Sequence, residues 1–169
     1  MDSPPKYSAT FFLFEDISNM KDIKDQVIKG PLKAAVVNPI LIYHLDQLVL
    51  AAHKCIHSYN SMQLKTKSIF TELLYVLFPT RSIRDALKNF GTQDDATTAI
   101  FVVFKGEEDK YLNGLESYVE GNLVSLDRIA ELRDVAAIKK LYKIPNEVTD
   151  EETVLNSILT KMAAKELLL

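Results

Sequence analysis

His53-Lys54-Cys55-Ile56-His57 is the densest group of side chains that could do chemistry in this sequence. Two histidines at i and i+4 can share a metal ion on one helical face. Each helical residue turns about 100°, however, so Cys55 points roughly 180° from the midpoint between His53 and His57. Lys54 stands where a metalloprotease helix carries its glutamate. His44 precedes the helix, and Cys55 is the sole cysteine. The segment therefore reads as a helix with two flanking histidines, and no metal is expected. One thiol forms no internal disulfide and sits here in no recognised catalytic setting. Phosphate cradles need glycine where backbone must approach the ligand. Gly30, Gly91, Gly106, Gly114 and Gly121 each stand alone, with no Walker or dinucleotide fingerprint and no Gly-x-Ser-x-Gly elbow. Glu72 interrupts an apolar helix at about 150° from the centre of its stripe, which predicts a solvated carboxylate. No catalytic residue and no cofactor is expected.

Charge is the second signal. The net charge is −3, whereas a stand-alone nucleic-acid binder is usually basic because phosphate contacts supply most of its affinity. Yet Lys54, Lys65, Lys67, Arg81, Arg84 and Lys88 outnumber Glu72 and Asp85 in the window 54–88, which is +4 against −7 for the rest. Two readings stand side by side: a solvated helical surface, or a local seat for phosphate supported by other subunits.

These residues need a scaffold, and the chain is long enough to build one. Residues 1–169 fit one ordinary domain, with 47% apolar and 25% charged residues. No apolar run approaches the ~18–20 residues of a membrane span, and the N-terminus lacks a secretory pattern. A soluble protein of the cytoplasm and nucleus is expected. Met1–Lys6, the acidic Glu107–Asp109 and the link Pro145–Glu152 read as loose edges.

Ser8–Phe14 reads as a buried strand, since aromatics fit a pleated surface. Ser18 is expected to cap a helix running to Lys29, which Gly30-Pro31 stops. Ala34–Asn38 forms a second strand, with Pro39–Ile42 as its continuation and Pro39 at an end or edge. Leu45, Leu48, Val49, Ala52, Ile56 and Tyr59 fall on one helical stripe, and Ile69, Phe70, Leu73, Leu74, Leu77 and Phe78 on a wider one. Pro79 ends that helix. Ser82 with Asp85 resembles a capping box, after which Ile83, Ala86, Leu87 and Phe90 are expected to face the core, with Gly91 as the stop. Thr97–Phe104 is the clearest strand. A helix over Asp109–Val119, a short strand Asn122–Val124, and helices over Leu126–Leu132, Val135–Tyr142 and Glu151–Glu166 follow. Ser125 and Asp134 serve as caps.

This order predicts an α/β (α+β) fold. A small, mostly antiparallel mixed sheet of about four strands, with helices on one face, is built from two β-α-β pieces in a split βαβ arrangement. A central helical insertion and C-terminal helices cover other surfaces.

Longer stretches carry a resemblance. Val37-Asn38-Pro39-Ile40 leads into Asp46-Gln47-Leu48-Val49-Leu50-Ala51-Ala52-His53-Lys54. Leu64-Lys65-Thr66-Lys67, Thr71-Glu72-Leu73-Leu74 and Ile83-Arg84-Asp85-Ala86-Leu87-Lys88-Asn89-Phe90-Gly91 follow. Val119-Glu120-Gly121, Val124-Ser125-Leu126, Lys139-Lys140-Leu141-Tyr142-Lys143 and Met162 with Lys165 complete the set over roughly residues 10–166. Their order and spacing resemble the PRPK-binding protein family, the kinase-binding accessory subunits of the KEOPS/EKC complex.

The resemblance implies a subunit with no activity of its own that binds the small atypical kinase/ATPase PRPK. Through that kinase it would meet the threonylcarbamoyl transferase and, indirectly, a Pcc-type subunit. The assembly installs threonylcarbamoyl-adenosine beside the tRNA anticodon, and the family helps recruit tRNA through its 3′ CCA end. On this basis Lys65, Lys67, Arg81, Ile83 and Arg84 are expected to contact tRNA. Val154, Leu155, Ile158, Leu159 and Met162, an apolar stripe on the last helix continued by Leu167–Leu169, are expected to help bind the kinase; packing on its own sheet is the competing role for this stripe. One departure stands out: the archaeal-type Ser-Gly-x-Arg-Gln-Ile turn reads Phe78-Pro79-Thr80-Arg81-Ser82-Ile83 here, keeping Arg81 and Ile83 but not the glycine. The competing functions are an enzyme whose site is not recognised, which needs a clustered polar site, and a simple dimerisation module.

Overall fold

The computed structural model describes residues 8–105 and 114–166. Among the described residues four strands form one sheet: β1 (Ser8–Glu15), β2 (Ala35–Val37), β3 (Ala99–Lys105) and β4 (Asn122–Val124), in the order β2-β3-β1-β4. Every neighbouring pair is antiparallel, with Phe12 opposite Phe101, Val36 opposite Phe101 and Phe14 opposite Leu123. β1 and β2 thus flank β3, and β3 and β4 flank β1, which is the split βαβ arrangement expected from the element order.

Alternate side chains enter two separate cores. Leu13, Ala35, Val37, Ile100 and Val102 lie in one, and Phe14, Ala34, Ala99 and Phe101 in the other. A sheet covered on both faces needs continuous apolar strands, which is why β1 and β3 read as unbroken runs. The second face is covered by α1 (Met20–Lys29) through Met20 and Ile23, and by α5 (Leu115–Tyr118) through Leu115. The first face carries the inserted helices α2 (Leu45–Asn60), α3 (Ile69–Leu77) and α4 (Ile83–Phe90). It also carries α6 (Ile129–Leu132), α7 (Val135–Leu141) and α8 (Glu151–Ala164).

Several local expectations change. Ser18 does not cap α1; its hydroxyl and the Asn19 amide instead hold residues 118–120 across the chain. Gly30 closes α1 at φ 105°, a left-handed conformation that glycine adopts without a Cβ clash. Residues 39–41 form a 3-10 turn rather than strand, with the Asn38 side chain accepting the Ile40 N–H. Proline has no N–H for a ladder, so β2 ends before it. On α2 the buried stripe is Leu48, Ala51, Ala52 and Cys55, while Tyr59 is exposed. His53 and His57 face solvent, opposite Cys55, as the helical geometry requires. On α4 only Ala86 and Phe90 are buried; Ile83 and Leu87 are exposed, contrary to the expected core stripe. The expected caps Ser82, Ser125 and Asp134 are present. The link at 145–152 contains a Val148–Pro145 turn bond and the Asp150 cap of α8. The expected loose edges Met1–Lys6 and Glu107–Asp109, the first part of the expected helix from Asp109, and Leu167–Leu169 lie outside the described residues.

Buried polar groups tie the insertion to the C-terminal helices. Gln47, at the third position of α2, accepts the N–H groups of Tyr43 and His44 and donates to the Tyr142 hydroxyl at 3.2 Å. Tyr142 donates in turn to the Leu77 carbonyl at 2.5 Å, at the end of α3. Among the described residues every buried side-chain nitrogen and oxygen has a hydrogen-bond partner, which avoids the cost of desolvating an unpaired amide or hydroxyl.

Candidate functional site

The loop before α3 owes its shape to one carboxylate. Glu72 is buried, not solvated as its helical direction predicted. Its Oε1 accepts the N–H groups of Lys65 and Thr66, both at 2.9 Å, and the Thr66 hydroxyl at 2.9 Å. Helical periodicity showed that Glu72 lies off the apolar stripe; it could not show that the preceding loop folds back over it. With its backbone donors consumed, the loop turns the Lys65 and Lys67 side chains outward, and both are exposed.

α3 then runs nine residues, about 13 Å, to the Phe78-Pro79-Thr80 turn. That turn contains no left-handed residue, since positive φ among the described non-glycine residues occurs only at Asp16, Met62 and Lys143. The glycine absent from 78–83 is therefore not required by this backbone. Ser82 caps α4, and the outward face of α4 carries two pairs at i, i+4: Ile83 with Leu87 and Arg84 with Lys88, all four exposed. An apolar pair beside a cationic pair offers packing and charge together. Leu87 also borders a cleft of about 220 Å³, lined with Phe70, Thr71 and Leu74 of α3 and Ala34, Ala35 and Val36 beside the sheet edge.

The end of α8 joins the two ends of this strip. Lys54, Lys65, Glu72, Tyr75, Lys165 and Glu166 line one small cavity, so Lys65 and Glu166 share its wall. Glu166 in turn meets Arg81, whose guanidinium donates to the Glu166 carbonyl at 3.1 Å. Lys65 and Arg81, a helix apart along α3, are thus bridged by the C-terminal residues, an arrangement with no local sequence signal. Lys54 is not a free cation: it donates to the Met162 carbonyl at 3.1 Å and so neutralises part of the negative end of α8. Lys165 is buried, donates to the Tyr75 carbonyl and sits 3.5 Å from the centroid of the Tyr75 ring. Burial pushes its ammonium down to about 8. Burial, then the hydrogen bond to Glu166, pushes the Tyr75 phenol up.

The expected kinase-binding stripe divides in two. Val154, Ile158 and Met162 are buried in this chain's own core, so those three are corrected from partner contacts to structural ones. Amphipathic spacing identifies an apolar face without telling whether the chain itself covers it. Leu155 and Leu159 are half-buried, next to the exposed Asn156 and Thr160 on the outward side of α8.

Among the described residues no three His, Cys, Asp or Glu side chains gather to hold a metal ion, and no helix is long and apolar enough to cross a membrane. Cys55 is buried, and burial raises its thiol far above the range in which a thiolate forms.

Comparison with known proteins adds a family. A family model described as "Kinase binding protein CGI-121" matches residues 14–166. The EKC/KEOPS complex subunit TPRKB of Danio rerio is 32% identical over 162 residues, covering 95% of this chain and 93% of the relative. The EKC/KEOPS complex subunit CGI121 of Candida glabrata is 32% identical over 152 residues, covering 88% and 86%. The Schizosaccharomyces pombe subunit of the same name is 26% identical over 167 residues, covering 95% of each chain.

Proposed function

This chain belongs to the CGI-121 kinase binding protein family, and we propose that it is the accessory subunit of an EKC/KEOPS complex that binds the PRPK-type kinase and helps to recruit tRNA. The observation that carries the reading is the family match over residues 14–166, which takes in β2, β3, β4, the end of β1 and all eight helices α1–α8. In this reading the kinase docks on the outward side of α8, with Leu155 and Leu159 as the apolar part and Asn156 and Thr160 as the polar rim. The transferase and the Pcc-type subunit are reached only through the complex. The subunit works without chemistry of its own, in the cytoplasm and nucleus.

For tRNA, the exposed Lys65, Lys67, Arg81 and Arg84 supply phosphate contacts along an extended strip. Ile83 and Leu87 offer apolar packing to an unstacked terminal base, the way single-stranded RNA ends are commonly held. Size-exclusion chromatography of the chain alone and with a PRPK-type kinase, with and without tRNA bearing its 3′ CCA end, tests this. Co-elution with the kinase supports the reading. A stable homodimer that ignores the kinase would establish a dimerisation module instead.

A further inference from the structure

Arg81 and Glu166 meet although 85 residues separate them in the sequence. Arg81 lies in the turn into α4, and Glu166 follows α8. Besides the guanidinium-to-carbonyl bond, Arg81 Nε lies 3.8 Å from Glu166 Oε2. The other carboxylate oxygen, Oε1, accepts the Tyr75 hydroxyl at 2.7 Å. The neighbouring Lys165 is anchored on the Tyr75 carbonyl and ring, and Lys54 holds the carbonyls of Met162 and Ala163. The carboxylate is therefore aimed at Arg81 by its surroundings rather than sampling solvent at random. A carboxylate set against a guanidinium offers the same anionic acceptor that a phosphate would. Both side chains remain open, at 45% and 38%. At that exposure an ion pair is weak and readily exchanged for another anion.

We propose that Glu166 is an internal stand-in for an RNA phosphate: it occupies Arg81 in the free chain and must release it before Arg81 can bind RNA. The contact is autoinhibitory and ties the end of α8 to the basic strip. A partner that shifts the end of α8 would thereby change how available Arg81 is. The inference rests on the reading of Arg81 as an RNA contact.

The test is a double-mutant cycle with the full chain and an unmodified tRNA transcript carrying its CCA end. Arg81→Gln is expected to weaken binding. Glu166→Gln is expected to tighten it about two- to fivefold, the range that an exposed ion pair supports. In the Arg81→Gln background, Glu166→Gln should change nothing. Glu166→Ala, which also removes the Tyr75 contact, should give a gain at least as large, and thermal melts of each variant establish that the fold is kept. A gain of equal size in both backgrounds would reduce Glu166 to a nearby negative charge and overturn the proposal, as would no gain at all. If Arg81→Gln itself leaves affinity unchanged, Arg81 is not an RNA contact, and the proposal falls together with the reading beneath it.

Discussion

The buried carboxylate of Glu72 accepts the backbone N–H of Lys65 at 2.9 Å, so an acid in the first turn of α3 shapes the loop that displays the cations. Glu72 also gains from its place near the positive end of that helix.

Replacing Glu72 by Gln leaves one acceptor oxygen and turns an NH2 group toward backbone donors. The expected cost is about 1–3 kcal/mol, the scale on which removing a charged hydrogen bond in a buried setting destabilises a fold. Urea unfolding measures it, and hydrogen exchange at Lys65 and Thr66 should speed up. An unchanged midpoint with unchanged protection would mean that Glu72 does not organise the loop.

tRNA binding should weaken with salt, because phosphate contacts release counterions. Lys67→Glu and Arg81→Glu should each lower the slope of log affinity against log salt by about 0.7–0.9 for every phosphate they no longer neutralise. Removing the CCA end should weaken wild type more than either variant. Identical affinity and slope for every combination would place the RNA seat on another subunit.

Within α8, Ile158→Ala should cost about 2–5 kcal/mol of stability whether or not a kinase is present, because Ile158 is fully buried in the core. Asn156→Arg and Thr160→Arg, at exposed positions of α8, should spare the fold and abolish co-elution with the kinase. Retained co-elution by both folded variants moves the docking face off α8.

Lys165 makes stability depend on pH. Its ordinary value is 10.5 and burial holds it at about 8 in the fold. Below about 8 both states carry the proton, and the burial penalty is fully present. Between about 8 and 10.5 the unfolded chain binds more protons than the folded one, so this group's contribution rises with pH. Lys165→Met lacks that dependence. The difference in Tm between wild type and Lys165→Met should therefore shift in favour of wild type as the pH is raised through this window. A pH-independent difference would show that Lys165 keeps its proton in the fold.

The chain alone should not hydrolyse ATP or transfer a carbamoyl group, since its sequence carries neither a phosphate loop nor an arranged acid and base. Turnover that co-elutes with the purified chain, assayed with ATP and with threonylcarbamoyl-adenylate, would make it an enzyme.

Local order was legible from residues alone. Unbroken apolar runs marked β1 and β3, Gly30 and Pro79 marked helix ends, and Ser82, Ser125 and Asp134 marked caps, because each acts through its own backbone geometry or its nearest amides. The order of short segments from Val37 to Lys165 likewise sufficed for the family, since it needs no knowledge of which residues touch. Tertiary structure alone decided which surfaces are left over. Helical spacing gave Val154, Ile158 and Met162 an apolar face, but whether the chain or a partner covers that face depends on where α2 and the rest of the core lie. The same spacing put Ile83 and Leu87 inward, whereas α4 packs through Ala86 and Phe90 and leaves them to solvent. Glu72 is buried because a loop returns to supply donors, and Arg81 is engaged because α8 ends beside it. Periodicity reports the direction of a side chain about its own axis; only packing determines what, if anything, stands opposite it.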